Sequence, residues 1–208
     1  MRFVVCFCLF LISSVLVTSS FAQLRLNEIL ADPASDWDGD GEVGSKADEW
    51  VEIINVGTTV IDLSKYRLTD LSGSYNWRYA FSGTLGPAEI AVVYGSEVVR
   101  WQSENGISTY GLSLNNSGDT VYLYEVSVSD TVEADRYAYL SHEVLDDRAV
   151  GRRPDGTGDW VIFDGLNPYS GTKPPPATGC NPSPGMPVSC ATPVEKITWG
   201  IVKTLYLN

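Results

Sequence analysis

The chain has 208 residues, with 26 Asp and Glu against 14 Lys and Arg, which gives a formal net charge of −12 at pH 7. This surplus of negative charge disfavours a nucleic-acid backbone as partner, because phosphate binding needs clustered positive charge. It favours solubility and the binding of cations.

Residues 1–22 have the three-part form of a secretory signal peptide. One arginine precedes an apolar run from Phe3 to about Val17, and small residues precede the expected cleavage point after Ala22. As a membrane anchor the run would be short, since a span needs about 20 residues. We therefore expect a protein that is exported and then secreted or held at the cell surface. No later apolar stretch is long enough to cross a bilayer, so we expect no transmembrane segment in the mature chain.

The most distinctive segment is DWDGDGEVGSKADEW, residues 36–50. Asp36, Asp38 and Asp40 occupy alternate positions, so a tightly curled loop can turn their carboxylates toward one centre. This pattern matches the first half of an EF-hand-type calcium loop. The second half does not match, because the twelfth position, where a bidentate Glu should stand, is Ala47.

Three further acids of this segment, Glu42, Asp48 and Glu49, are candidates to complete the site. Calcium takes six to eight oxygen ligands, and clustered carboxylates without a cation repel each other. The segment therefore predicts a calcium site that would make the loop rigid without doing chemistry. The alternative is a hydrated acidic loop between the first two strands.

Between residues 24 and 165, short runs rich in Val, Ile, Tyr and Trp alternate with turn signals, and helix signals are scarce. Seven runs stand out: LRLNEIL (24–30), EWVEIINV (49–56), YRLTD (66–70), NWRYAF (76–81), EIAVVYG (89–95), DTVYLYEV (119–126) and DWVIFD (159–164). This number of short strands predicts an all-β sandwich or barrel of about 100 to 150 residues. Residues 98–107 predict one short helical turn.

Tyr75, Trp77 and Tyr79 alternate along one predicted strand. Such a stripe can form an exposed platform that binds carbohydrate or peptide. The alternative is packing in the core, which is favoured because a sandwich needs large side chains on its inner faces.

Catalytic signals are weak. His142 is the only histidine, and no G-x-S-x-G nucleophile elbow accompanies it. The sequence thus predicts no enzyme and no catalytic residue.

Arg152 and Arg153 precede a Pro-Asp-Gly turn and can bind a carboxylate, including one of the protein's own. The simpler expectation is a charge-assisted hydrogen bond that holds the turn.

The carboxyl-terminal part changes in character. Residues 172–191 are rich in Pro and Gly and predict an extended linker, stiffened by three consecutive prolines. Cys180 and Cys190 lie within it, and a disulfide between them is expected in an exported protein. Residues 192–208 are apolar again and predict a short tail element, either a helix or a strand.

Several segments together resemble bacterial lamin-tail domains. LRLNEILADP, an acidic loop and DEWVEIINVGTTVIDLSKYRLTD are similar to the opening of that family, and GLSLNNSGDTVYLYE and RRPDGTGDWVIFD are similar to its later parts. The resemblance covers about residues 24 to 171, so we place one domain at 23–171. It implies an immunoglobulin-like β-sandwich that acts as a binding or structural module, and it brings no catalytic residues.

The function expected from the resemblance is adhesion or scaffolding at the cell surface or outside the cell. The expected partner is a protein or polysaccharide of the cell envelope or extracellular matrix. One alternative is a carbohydrate-binding module, and another is a secreted hydrolase or a nuclease-associated domain. The ending PVEKITWGIVKTLYLN resembles the short Thr-Trp-Gly-x-x-Lys endings of unrelated exported proteins, which implies a sorting or attachment tail. The alternative is an element that docks on the sandwich.

Overall fold

The structure is a computed structural model that describes residues 23–70, 76–188 and 190. The signal peptide predicted at 1–22 and the tail predicted at 192–208 lie outside these residues. The elements in chain order are β1 (Leu24–Leu30), β2 (Trp50–Asn55), β3 (Ile61–Asp62), a 3-10 turn (Leu63–Lys65), β4 (Tyr66–Thr69), β5 (Tyr79–Ala80), β6 (Thr84–Leu85), β7 (Ile90–Tyr94), α1 (Gly95–Glu104), β8 (Gly118–Val126), β9 (Thr131–Leu140), a second 3-10 turn (Ser141–Glu143), β10 (Ala149–Arg153) and β11 (Asp159–Phe163).

Two antiparallel sheets pack face to face. One has five strands in the order β11-β10-β1-β2-β7, and the other has four in the order β5-β4-β8-β9. The short strands β3 and β6 form a separate pair. This architecture is the all-β, immunoglobulin-like sandwich that the sequence predicted, and the fold class is confirmed.

The main core lies between the two sheets, because apolar residues alternate along the strands that face it. The five-stranded sheet contributes side chains that are almost wholly buried, including Leu24, Leu26, Ile29, Val51, Ile53 and Val93. The four-stranded sheet contributes Leu68, Val121, Leu123 and Tyr139. Burying one Leu, Ile or Val side chain stabilises the fold by about 1.5–3 kcal/mol.

The outer face of the five-stranded sheet carries a second apolar cluster, which includes Leu30, Trp50 and Phe163. The segment predicted as an extended linker covers this face. Its backbone pairs with the edge strand β11, where the amide of Ile162 donates to Pro176 O at 2.9 Å and the amide of Thr178 donates back to Ile162 O at 3.1 Å. The structure differs here from the sequence expectation, because an unpaired sheet edge and an apolar face both need a cover.

Four strands of the structure, β3, β6, β9 and β10, are not among the seven predicted runs, and helix α1 is longer than predicted. Strand β9 is ten residues long and was not predicted because Glu133, Asp135 and Arg136 interrupt its apolar pattern. Helix α1 also has ten residues where one short turn was predicted. Its first turn is fixed by Glu97, which accepts a hydrogen bond from the Tyr94 amide at 3.2 Å, and Val98 and Gln102 bury one face.

No helix in the described part of the chain is long and apolar enough to cross a membrane.

Candidate functional site

The acidic loop between β1 and β2 is organised by Asp48, a carboxylate with no exposed surface. One of its oxygens accepts hydrogen bonds from the amides of Trp37 (2.6 Å) and Asp38 (2.9 Å). The other accepts one from the amide of Gly44 at 2.7 Å. Two separate parts of the loop are thereby hydrogen-bonded to one buried carboxylate.

A second carboxylate, Asp147, ties the start of the loop to the segment just before β10, 113 positions from Ala34. It accepts hydrogen bonds from the Ala34 amide and from Nε1 of Trp37, both at 2.7 Å. Burial raises the pKa of Asp147, but hydrogen bonds from Ser35, Trp37 and Ala34 outweigh that effect and hold its pKa below the ordinary value. The loop is therefore anchored to the sandwich on both sides.

Asp36, Asp38 and Asp40 each bring one carboxylate oxygen into a group whose members lie within 4.8 Å of one another. Asp36 and Asp40 are exposed, and Asp38 is half-buried. Three hard oxygen ligands at this spacing suit a calcium ion, with backbone carbonyls and water needed to complete its coordination. The alternate spacing read from the sequence does bring these three side chains together.

The other three predicted ligands lie elsewhere. Glu42 is exposed but outside the group of three, and Asp48 has no exposed surface and bonds to amides of the loop. Glu49 points into the interior, where it accepts a hydrogen bond from the Leu114 amide at 3.2 Å. Burial raises the pKa of Glu49 to about 8. The structure differs from the expectation because the start of β2 fixes residues 48 and 49 against the sandwich.

The aromatic residues predicted to form one stripe have different surroundings. The ring of Trp77 lies 5.6 Å from that of Tyr124, and the ring of Tyr79 lies 5.8 Å from that of Trp101. Tyr79 packs against the core, as the alternative reading of the sequence held. Tyr75 lies outside the described residues.

A cleft of about 660 Å³ opens beside Trp77, a size typical of pockets that hold small ligands. It is lined by the segment that enters β5, by α1 and by the loop after α1, through Asn76, Trp77, Arg78, Gln102, Ile107, Ser108, Tyr110 and Ser113. We call it the Tyr110 cleft, because that side chain is 56% exposed within it. The strand pattern did not predict Tyr110 as a site residue, because Tyr110 lies in a loop.

A family model described as Lamin Tail Domain matches residues 18–141, more than half of the chain. The chain belongs to the lamin tail domain family. Neither a curated protein sequence nor a solved structure matches it. The matched span ends before β10 and β11, which this lamin tail domain nevertheless includes in its five-stranded sheet, with β10 paired to β1.

The only histidine of this lamin tail domain supports the C-terminal segment. Nε2 of His142 lies 3.1 Å from the carbonyl oxygen of Pro174, and its ring lies 5.2 Å from that of Tyr169. Of the predicted arginine pair, Arg152 binds a carboxylate of the protein itself, Asp135, at 3.1 Å. These contacts join parts of the fold to one another.

Cys180 and Cys190 form a disulfide that closes residues 180–190 into a loop, here called the cysteine loop. The loop lies over the outer face of the five-stranded sheet, where Cys180 is buried in the second apolar cluster. Its backbone amides donate to three carboxylates of the domain: Ser183 to Glu28 (3.2 Å), Gly185 to Glu52 (2.7 Å) and Val188 to Asp155 (3.1 Å). Residues 172–190 are thus part of the folded lamin tail domain.

Glu28 and Glu52 stand directly opposite each other on β1 and β2, and neither has exposed surface. Burial raises the pKa of Glu52 to about 7. Burial and the neighbouring charge of Glu52 raise the pKa of Glu28 well above its ordinary value. The signal in the sequence is the polar pair Asn27-Glu28 between the apolar residues Leu26 and Ile29, which indicates that polar groups meet this part of the strand.

Proposed function

We propose that this lamin tail domain is an exported, non-catalytic binding module that serves adhesion or scaffolding outside the cell. Its partner is a protein or polysaccharide of the cell envelope or extracellular matrix. Membership of an immunoglobulin-like structural family is the observation that carries the proposal. The contacts of His142 with a backbone carbonyl and a tyrosine ring agree with a structural role for the residue best suited to acid–base chemistry.

Export and surface location rest on the signal peptide predicted at residues 1–22 and on the tail predicted at 192–208. A tail that sorts or attaches the protein can be removed without touching the sandwich. Deletion of residues 192–208 is therefore expected to move the protein from the cell surface to the medium, as followed by fractionation and immunoblotting. A truncated protein that keeps the location of the parent would contradict the attachment role.

Calcium is proposed as the ligand of the acidic loop. The support is the convergence of Asp36, Asp38 and Asp40, which provide oxygen ligands, the type that calcium prefers. Asp48 and Asp147 already hold the surrounding backbone, so binding would order few additional residues. The ion would stabilise the loop and would take no part in a reaction.

The binding function is tested by capture from the envelope fraction of the producing cell. The processed protein is immobilised and exposed to solubilised envelope, once with calcium and once with chelator. We expect a defined protein or polysaccharide to be retained, and to be retained more strongly with calcium. Turnover of a captured substrate that disappears in His142→Ala would instead show an enzyme and overturn the proposal.

A further inference from the structure

We propose that the Tyr110 cleft binds a sugar unit of a neutral polysaccharide. This inference rests on the proposed function as a binding module and names the class of ligand. It places Tyr110, in the loop that follows α1, at the centre of the binding surface, and Trp77 of the predicted stripe lines the same cleft.

The cleft exposes apolar surface that the fold does not cover. Tyr110 is 56% exposed and Ile107 is 42% exposed, and both line the same concavity. The guanidinium carbon of Arg78 lies 5.6 Å from the centre of the Tyr110 ring, so a cation–π contact restrains that ring. A restrained aromatic face suits the C–H face of a sugar ring, since both surfaces are flat and apolar.

The loop that carries Tyr110 is held in place by one buried side chain. Gln102, which is 1% exposed, donates hydrogen bonds to the carbonyls of Arg78 and Gly111, both at 3.0 Å. Its side-chain oxygen accepts a third from the Gly111 amide at 2.9 Å. Ser113 adopts a φ of 61°, a left-handed conformation that non-glycine residues adopt only where surrounding structure enforces it. The cleft is therefore formed before a ligand arrives, which lowers the entropy cost of binding.

The charge of the cleft selects for a neutral ligand. Arg78 is the one charged side chain among the described residues that line it. Its guanidinium donates to both carboxylate oxygens of Asp70, at 3.0 and 2.8 Å, so its charge is already paired. The formal net charge of −12 also repels polyanions at a distance. A ligand with one apolar face and many hydroxyl groups, such as a neutral glycan, meets these conditions.

The test measures binding of the full processed protein to soluble polysaccharides by affinity electrophoresis, followed by calorimetry. The neutral probes are dextran, hydroxyethyl cellulose, xyloglucan and galactomannan, and polygalacturonate is the anionic probe. We expect at least one neutral probe to bind and polygalacturonate not to bind. Tyr110→Ala should weaken binding about tenfold or more, as truncation of a central aromatic contact does. Tyr110→Phe should bind nearly as the parent does, because it keeps the ring.

Two further variants keep the result interpretable. Ile107→Ser removes a second apolar contact of the cleft and should also weaken binding. Leu140→Ala removes a side chain of similar exposure, 57%, outside the cleft and should change nothing. Circular dichroism checks that each variant is folded.

The inference is overturned if none of the neutral probes binds, or if binding survives both Tyr110→Ala and Ile107→Ser. Selection of apolar peptides from a display library by the same cleft would also overturn it, since the ligand would then be a peptide. None of these results bears on capture of an envelope component, so they leave the proposed binding function standing. Depolymerisation of a bound glycan would instead contradict that function.

Discussion

Asp48 shows at the scale of one residue how position in the fold decides the role of a carboxylate. It stands in the same acidic segment as Asp36, Asp38 and Asp40, yet it is wholly buried and binds three backbone amides. The three aspartates of the cluster lie at the surface, where a cation can reach them. One sequence segment therefore contains both the support of the loop and its proposed binding site.

Calcium should raise the melting temperature of the parent protein by several degrees, because a ligand that binds only the folded state stabilises it by mass action. The variant Asp38→Ala with Asp40→Ala should lose this rise, since it removes two of three clustered carboxylates. Differential scanning fluorimetry with calcium and with chelator measures both.

Glu42→Ala is the matched control for this calcium experiment. It removes an acid of the same loop that lies outside the cluster, so most of the calcium-induced rise should remain. A parent protein whose melting temperature ignores calcium would contradict the calcium proposal, and the loop would then be a hydrated acidic loop.

At the scale of elements, residues 176–178 extend the five-stranded sheet, and the cysteine loop covers its outer face. The amide of Gly165 donates to Cys180 O at 2.8 Å, next to the backbone pairing of residues 176–178 with β11. Three domain carboxylates then hold the loop itself. This segment lacks the periodicity of a strand or helix, but its backbone amides satisfy acceptors that would otherwise be buried without partners.

Deletion of residues 172–208 should therefore destabilise the sandwich by about 3 kcal/mol or more, because it exposes an apolar cluster and removes donors from buried carboxylates. Deletion of residues 191–208 alone is the matched control and should leave stability almost unchanged, since it keeps the cysteine loop. Urea unfolding measures both, and binding of an apolar dye should increase only for the longer deletion. Equal stability of the two truncated proteins would show that residues 172–190 behave as a free linker.

At the scale of the whole molecule, buried acids set the response to pH. Glu28, Glu49 and Glu52 all have raised pKa values because of burial, and those of Glu49 and Glu52 reach about 8 and about 7. The ordinary pKa of a glutamate, 4.5, applies to these groups in the unfolded chain, so the unfolded chain releases their protons at lower pH than the folded protein does. The stabilisation from these groups is complete below pH 4.5 and is lost as the pH rises to about 8.

The melting temperature should accordingly be higher at pH 5 than at pH 8. Glu49→Gln, which keeps a neutral side chain at all pH values, should reduce this difference, while Glu104→Gln at an exposed position should not. The repulsion that comes with a net charge of −12 acts in the same direction. Thermal melts across this range give the slope, and a melting temperature that rises from pH 5 to pH 8 would refute the assignment.

Much of the fold could be predicted because its signals are local. The run DTVYLYEV (119–126) predicted β8, and its residues Val121, Tyr122 and Leu123 are buried. Strand β9 was not predicted, because its charged residues mask the alternation of apolar and polar side chains. The six calcium candidates separate into two groups. Asp36, Asp38 and Asp40 could be predicted from their spacing within one loop, whereas the burial of Asp48 and Glu49 depends on the parts of the fold that pack against them.

The sequence by itself determined the all-β class, the surplus of acidic residues and the convergence of Asp36, Asp38 and Asp40, because each follows from periodicity, composition or spacing over a few residues. The choice of a sandwich over a barrel came from the resemblance to lamin-tail domains. Only the tertiary structure decided that Glu28 meets Ser183, 155 positions away, and that the Pro-rich segment covers a sheet. It also placed Tyr110 beside Arg78 to form a cleft. Such contacts join residues that are distant in the chain, and they exist only after the hydrophobic core has closed and fixed which faces remain to be covered.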